Sequence, residues 1–134
     1  MYLNAFEQGN WITYYTDKDI KIEYQYIDCE YPNQFDQEFV ILKIKNLTKK
    51  DLTVSWQKEV WYDKKCLNCS DQSDNEVFNN VFLKKNQILT GNCKDQNHLR
   101  IFSKFSEKIE NMPGVNKIVE LTKFSLKEIS VIYE

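Results

Sequence analysis

The sequence holds one alanine (Ala5), one arginine (Arg100) and one histidine (His98). Each scarcity excludes something. Alanine is the strongest helix former, so its near-absence argues against an α-helical core. A lone arginine suits neither phosphate binding nor base readout, where the guanidinium fork is the preferred tool. A net charge of −2 adds no long-range pull toward nucleic acid or an anionic bilayer. A lone histidine means that any catalytic triad must use His98; it lies in the polar stretch NCKDQNH, and no serine sits in a nucleophile elbow. No run is long and apolar enough to span a bilayer. Met1–Asn10 lacks the basic-then-apolar pattern of a signal peptide. That leaves a cytosolic protein or a chain that begins after a removed export signal. The loosely patterned lead-in and the four cysteines favour export, because disulfides persist in oxidising compartments.

What is abundant points to sheet. Val, Ile, Thr, Phe, Tyr and Trp make up about a third of the chain, and these types fit a pleated surface. The length suffices for one buried core, with residues 1–10 as a lead-in and 11–134 as a single β domain. The pattern is organised around Phe39–Trp56. Val40, Leu42 and Ile44 share one parity, and Lys43 and Lys45 the other. Leu52, Val54 and Trp56 alternate with Thr53 and Ser55. Alternation of period two marks strands with one apolar face. Phe39 and Ile41 break it, so this strand starts apolar on both faces, as a central strand or one covered by another segment does. Asn46, Thr48 and Asp51 make a polar turn between the runs. The expectation is a central β-hairpin.

The remaining chain follows the same rhythm. Trp11–Thr16 reads as a first strand at an edge, and Asp17–Asp19 as a turn. Ile20–Cys29 puts Ile20, Ile22, Tyr24 and Tyr26 on one face and Lys21, Glu23 and Gln25 on the other. Tyr31–Gln37 is a loop. Gln57–Lys58 predicts a bend or bulge before Val60–Tyr62, and Asp63–Asn75 a second loop. Glu76–Leu83 alternates Val77, Asn79, Val81 and Leu83 against Phe78, Asn80 and Phe82. Lys84–Gln87 turns, and a short strand at Ile88–Leu89 stops near Gly91. Leu99–Phe105 reads as a strand with Leu99, Ile101 and Phe105 on one side. Phe102, Phe105, Ile109 and Met112 also keep helical spacing, so a short helical turn or loop follows, ending at Pro113–Gly114. Leu121–Tyr133 changes parity, with Phe124 and Leu126 in one phase and Ile129, Val131 and Tyr133 in the other. A β-bulge near Lys127–Glu128 reconciles the two. With no β-α alternation and no internal repeat, the fold class is all-β, an antiparallel sandwich.

This arrangement resembles immunoglobulin-like bacterial modules. In these a strand ends at Asn, a second β-run follows, and an aromatic-Asp segment comes next. Here the segments are LKIKNLT, LTVSW and VWYD (Val60–Asp63), with LKKNQIL (Leu83–Leu89) fitting the later part of the pattern. The resemblance covers Phe39–Leu89. It implies an immunoglobulin-like sandwich of about 7–9 strands and no particular activity. The chain departs from antibody-type domains in its cysteines. Those domains pair two core strands around a buried Trp, whereas Cys29 and Cys93 fall at loop or strand-end positions.

The cysteines are the first candidates for chemistry. Residues i and i+3 of a tight turn lie within disulfide reach, so we expect Cys66–Cys69, with Cys29–Cys93 as a long clamp. Chain entropy makes such a clamp worth roughly 2–4 kcal/mol. The alternative is a zinc site of Cys66, Cys69, Cys93 and His98, a legitimate tetrahedral set that leaves Cys29 over. A thioredoxin-like role lacks its helix N-terminus. Glu107 and Glu110 read as a solvated face. Asn46-Leu47-Thr48 and Asn68-Cys69-Ser70 match the glycosylation pattern. Trp61, Tyr62 and Tyr31 stand out among the aromatics as binding residues, since such rings combine an apolar face with a polar handle. The sequence therefore leads to a non-enzymatic exported module without cofactor, binding or structural, at the cell surface or in the periplasm. A glycan- or peptide-binding module using exposed aromatics or an edge strand is the second reading, and a zinc-stabilised domain the third. The partner is a protein or a glycan rather than nucleic acid.

Overall fold

Strands with one apolar face can hide it only against another such layer. The computed structural model, which describes residues 10–69, 78–94 and 98–134, shows two antiparallel sheets. The first contains β1 (Ile12–Thr16), β2 (Ile20–Cys29), β3 (Gln37–Asn46), β7 (Ile88–Thr90) and β8 (Arg100–Phe105). Its order is β1-β2-β3, with β7 and β8 sharing the far side of β3. The second contains β4 (Leu52–Tyr62), β5 (Lys65–Cys66), β6 (Phe78–Leu83) and β9 (Leu121–Tyr133). Here β4 is central, with β9 on one side and β5 and β6 on the other. The expected all-β antiparallel sandwich is present, with nine strands among the described residues. Residues 1–9 of the lead-in, and Glu76 and Val77 of the expected strand before Phe78, lie outside those residues.

The central hairpin is a correction. β3 and β4 belong to different sheets, so Phe39–Trp56 is a crossover between layers. Alternation alone could not separate the two arrangements, because both present the same residues to a core. Val40, Leu42 and Ile44 face inward from one sheet, Leu52, Val54 and Trp56 from the other, and all are at most 1% exposed. A second correction concerns Gln57–Lys58, through which β4 runs unbroken. The irregularity lies across from it. Ser55 pairs with Ser130 and Gln57 with Lys127, so Glu128 and Ile129 both face Trp56, and Glu128 has φ +52°. This is the bulge expected near Lys127–Glu128, and it turns Ile129 and Val131 back onto the core that Leu126 already reaches.

The outer face of the first sheet is not the wetter face expected. Glu23 and Gln25 are buried, and Cys29, Phe39 and Ile41 form a second core packed by Trp11, Ile27, Tyr31 and Phe102. The double-sided start of β3 is thus covered by a neighbouring segment. Glu23 sits within 3.3, 3.6 and 3.8 Å of the ammonium groups of Lys45, Lys43 and Lys21. Burial pulls its carboxyl up, but Lys45, Lys43 and Lys21 together outweigh burial and hold it below the ordinary range.

Both central strands share one device. Each has a long partner on one side and a split partner on the other. On β3 the gap between β7 and β8 falls at Leu42, whose carbonyl accepts from the Gly91 N–H and whose N–H donates to the Leu99 carbonyl, each at 2.9 Å. A Cβ on Gly91 would strike that Leu99 carbonyl, so only glycine fits where the expected strand stops. On β4 the gap between β6 and β5 is filled by a side chain. The Asn68 amide accepts from Val60 N–H at 3.1 Å and donates to the Lys58 carbonyl at 3.0 Å, standing in for a peptide group.

The crossover turn is held by Asn46, 3% exposed. Its amide nitrogen donates to the carbonyls of Lys50 (2.8 Å), Lys84 (2.9 Å) and Leu83 (3.4 Å). Its oxygen accepts from the Thr48 N–H and hydroxyl at 2.9 and 2.7 Å. Removing the donor strands buried carbonyls, which cost about 1–3 kcal/mol each. Asn46→Ala and Asn46→Asp should both destabilise by about 3 kcal/mol in urea unfolding, the aspartate no better because it cannot donate. For Glu23 the sign follows from its lowered folded pKa. Its contribution is full above the unfolded carboxylate value of about 4.3 and is lost as pH falls through the folded value. Glu23→Gln should therefore unfold more easily than the wild type at neutral pH, by about 2 kcal/mol, and the two curves should converge in acid.

Candidate binding cleft at the end of the sandwich

β3 starts, and β8 ends, at the edge of the molecule opposite the Asn46 turn, because the two strands are antiparallel and Gln37 pairs with Phe105. Two connections meet there: the loop at residues 31–36 and the stretch at 106–120 that leads from β8 to β9. The Ser106 N–H donates to the Asp36 carbonyl at 2.9 Å and ties one to the other. A 3₁₀ turn at Ile109–Asn111 reverses the second connection and seats Met112, 3% exposed. Gly114, at φ +82°, completes the reversal. The return limb is pinned to the β4–β5 turn: Asp63 N–H donates to the Glu120 carbonyl at 2.9 Å, and Glu120 N–H to the Asp63 carboxylate at 3.3 Å.

This construction leaves an apolar cavity of about 360 Å³ lined by Phe35, Phe102, Phe105, Met112, Val115, Ile118 and Val119, with Lys117 at its rim. Its rings interlock edge to face, Phe102–Phe105 at 5.3 Å and Phe35–Phe105 at 6.3 Å. Phe35, Phe105 and Val119 keep 38–50% of their surface open to solvent. Phe105 and Ile118 also wall a polar trough of about 490 Å³ lined by Asp28, Glu38, Lys104, Ser106, Glu107 and Glu120. Phe35 and Phe105 wall a third depression of about 540 Å³, with Pro32, Asn33, Gln34 and Gln37. The three form one cleft around Phe105. Its cations are already engaged. Lys104 lies 3.8 Å from Glu120, and Lys117 lies 3.2 Å from Asp63, whose carboxyl the Glu120 N–H and then Lys117 hold below the usual range. Asp28, Glu38 and Glu107 have no ion pair among the described residues. Glu38 accepts from the Ser103 hydroxyl at 2.7 Å, and Glu107 from the Asn111 amide at 3.1 Å.

The residues singled out in the sequence are distributed differently. Tyr62 lies beneath the cleft: its hydroxyl donates to the Phe102 carbonyl at 2.7 Å, its ring lies 6.4 Å from that of Phe102, and burial pushes its phenol above the ordinary value. Trp61 faces the other way on β4, half-buried under Lys123 at 4.5 Å. Tyr31 belongs to the outer core. Its hydroxyl donates to the Cys93 carbonyl at 2.7 Å, while Arg100 donates to both at 3.0 and 2.6 Å and lies 4.5 Å from the Phe39 ring. The three aromatics make no common platform. The cleft residues themselves were legible only as the helically spaced Phe102, Phe105 and Met112, a run of apolar side chains that no single strand face could absorb.

The cysteines are brought to disulfide distance as Cys29–Cys93 and Cys66–Cys69, each with a Cα separation of 5.7 Å. The first pair lies in the outer core and Trp56 in the inner one, so no bridge clamps the two sheets around the tryptophan. Cys93 is with Cys29, and so the four residues of the zinc alternative are not assembled. Among the described residues no group of three or more His, Cys, Asp or Glu could hold a metal. His98 is exposed and lines none of the three depressions. Both glycosylation matches fall on asparagines whose amide nitrogens donate to backbone carbonyls. No helix among the described residues is long and apolar enough to cross a membrane. The bridges differ in value. Chain entropy assigns about 4 kcal/mol to the 64-residue separation of Cys29–Cys93 and under about 2 kcal/mol to the 3-residue separation of Cys66–Cys69. Cys29→Ser/Cys93→Ser should therefore lower the urea midpoint at least twice as far as Cys66→Ser/Cys69→Ser.

No family model, curated protein or solved structure matches this chain, so the reading of its function rests on the geometry above.

Proposed function

We propose that this chain is an exported, non-enzymatic binding module, working at the cell surface or in the periplasm and engaging its partner through the end cleft. The observation that carries the reading is that all four cysteines stand in two pairs at disulfide distance, one of them organising the second core. Paired cysteines of this kind are characteristic of proteins in compartments where thiols are not kept reduced. The cleft supports the binding role: apolar rings stand open to solvent beside carboxylates, as in ligand sites rather than in cores. Among the described residues its lining is mostly apolar rings, carboxylates and amides, a composition that suits recognition of a ligand. A sugar-stacking role finds less support. The rings of Trp11 and Trp61 lie under Lys43 and Lys123 at 4.2 and 4.5 Å, so those faces are taken by the protein's own cations. Protein isolated from its native cells without reductant, alkylated and weighed intact should show no modified cysteine. Four alkylated thiols would overturn the reading.

A further inference from the structure

Resting on the binding-module reading, we propose that the end cleft takes a peptide segment in which a bulky apolar side chain stands next to a lysine or arginine. The apolar cavity of about 360 Å³ has the size of a small ligand site, whose usual range is about 300–1,000 Å³. Its walls of Phe102, Phe105, Met112 and Ile118 offer no partner for sugar hydroxyls, and an unpaired hydroxyl there is costly. Only an apolar group gains by entering.

Charge selects what stands beside that group. Across the shared wall of Phe105 and Ile118, the trough presents Asp28, Glu38, Glu107 and Glu120 against the single ammonium of Lys104. Lys104 is matched to Glu120, and Lys117 at the cavity rim is matched to Asp63. The unmatched charge facing an occupant is negative. It repels fatty acids, phosphorylated groups and acidic glycans, and attracts a cation one residue from the apolar anchor. The third depression favours a peptide as occupant. Beyond Phe105 the cleft continues past Asn33 and Gln34; the Gln34 amide oxygen accepts from Gln37 at 3.3 Å, which leaves its N–H groups and the Asn33 amide to meet the C=O and N–H groups of a peptide backbone. Phe105, in the wall of all three depressions, is the point where the anchor, its charged neighbour and the continuing chain part.

Fluorescence anisotropy of labelled short peptides tests this directly. The probes are a peptide with tryptophan beside two lysines, its counterpart with glutamates for the lysines, and its counterpart with alanine for the tryptophan. Only the first should bind, and more weakly as salt rises, because screening acts on the exposed charges. Val119→Asp puts a carboxylate at the apolar rim, on a half-exposed position, and should weaken binding at least tenfold. Asp28→Asn/Glu107→Gln should weaken it several-fold and flatten the salt dependence. Both variants should keep the wild-type urea midpoint, which separates lost binding from lost folding. Equal binding of the glutamate peptide, an unaffected Val119→Asp, or no binding of the tryptophan–lysine peptide by the wild type would each overturn the inference. The thiol measurement reports on export alone, so a reduced protein that still binds this peptide would sink the compartment and leave the cleft's ligand standing.

Discussion

The structure depends on one buried amide. β3 and β4 are consecutive in the chain, carry much of the deeply buried core and lie in opposite layers, so the chain must leave one sheet and enter the other within five residues. A polar turn that close to the core has to satisfy its own carbonyls. Asn46 does so for Lys50, and reaches Leu83 at the end of β6 and Lys84 of the β6–β7 connection as well. The same corner collects the Leu47 N–H on the Asp19 carbonyl and the Asn86 N–H on the Thr48 carbonyl. Three turns from three parts of the sequence are thereby held at one end. The layers are registered there, and the remaining strands add to two central strands already fixed.

With one end closed by short turns, two longer connections meet at the other. The 31–36 loop and the 106–120 connection are too long to be tight turns and too apolar to be left in water. They fold over the strand ends and bury Met112, while Phe35, Phe105 and Val119 stay partly open. The cleft is thus a product of topology. Loops set on a rigid frame are where binding surfaces form, because their side chains are free of the demands of a core.

Charge is used in two ways on the two flanks of the first sheet. Around Glu23 three lysines surround one carboxylate within 3.8 Å, so its charge is matched inside the fold and shielded from solvent. In the trough the proportion is reversed: carboxylates outnumber the single lysine and face an open depression. The first arrangement stabilises the fold at neutral pH. The second is only partly matched: Glu120 meets Lys104, Glu38 and Glu107 accept side-chain hydrogen bonds, and the like charges on one wall still repel.

The amino-acid order by itself determined most of the strands and inward faces and the β9 bulge. These follow from period-two alternation and from its single change of phase between Leu126 and Ile129, both properties of neighbouring residues. It also limited the cysteine pairs, because an i, i+3 spacing in a turn permits Cys66–Cys69. It missed β5, which falls in the expected Asp63–Asn75 loop, and it placed Phe105 with Leu99 and Ile101, whereas Phe105 is exposed. Only the tertiary structure decided that Phe39–Trp56 crosses between sheets and that Glu23 and Gln25 are covered. It alone drew Phe35, Phe105 and Val119 together, and gave the Asn68 side chain the place of a peptide group. Which sheet a strand joins, and what lies over its outer face, depends on partners distant in the chain. Alternation records only that a face is apolar, never what it meets.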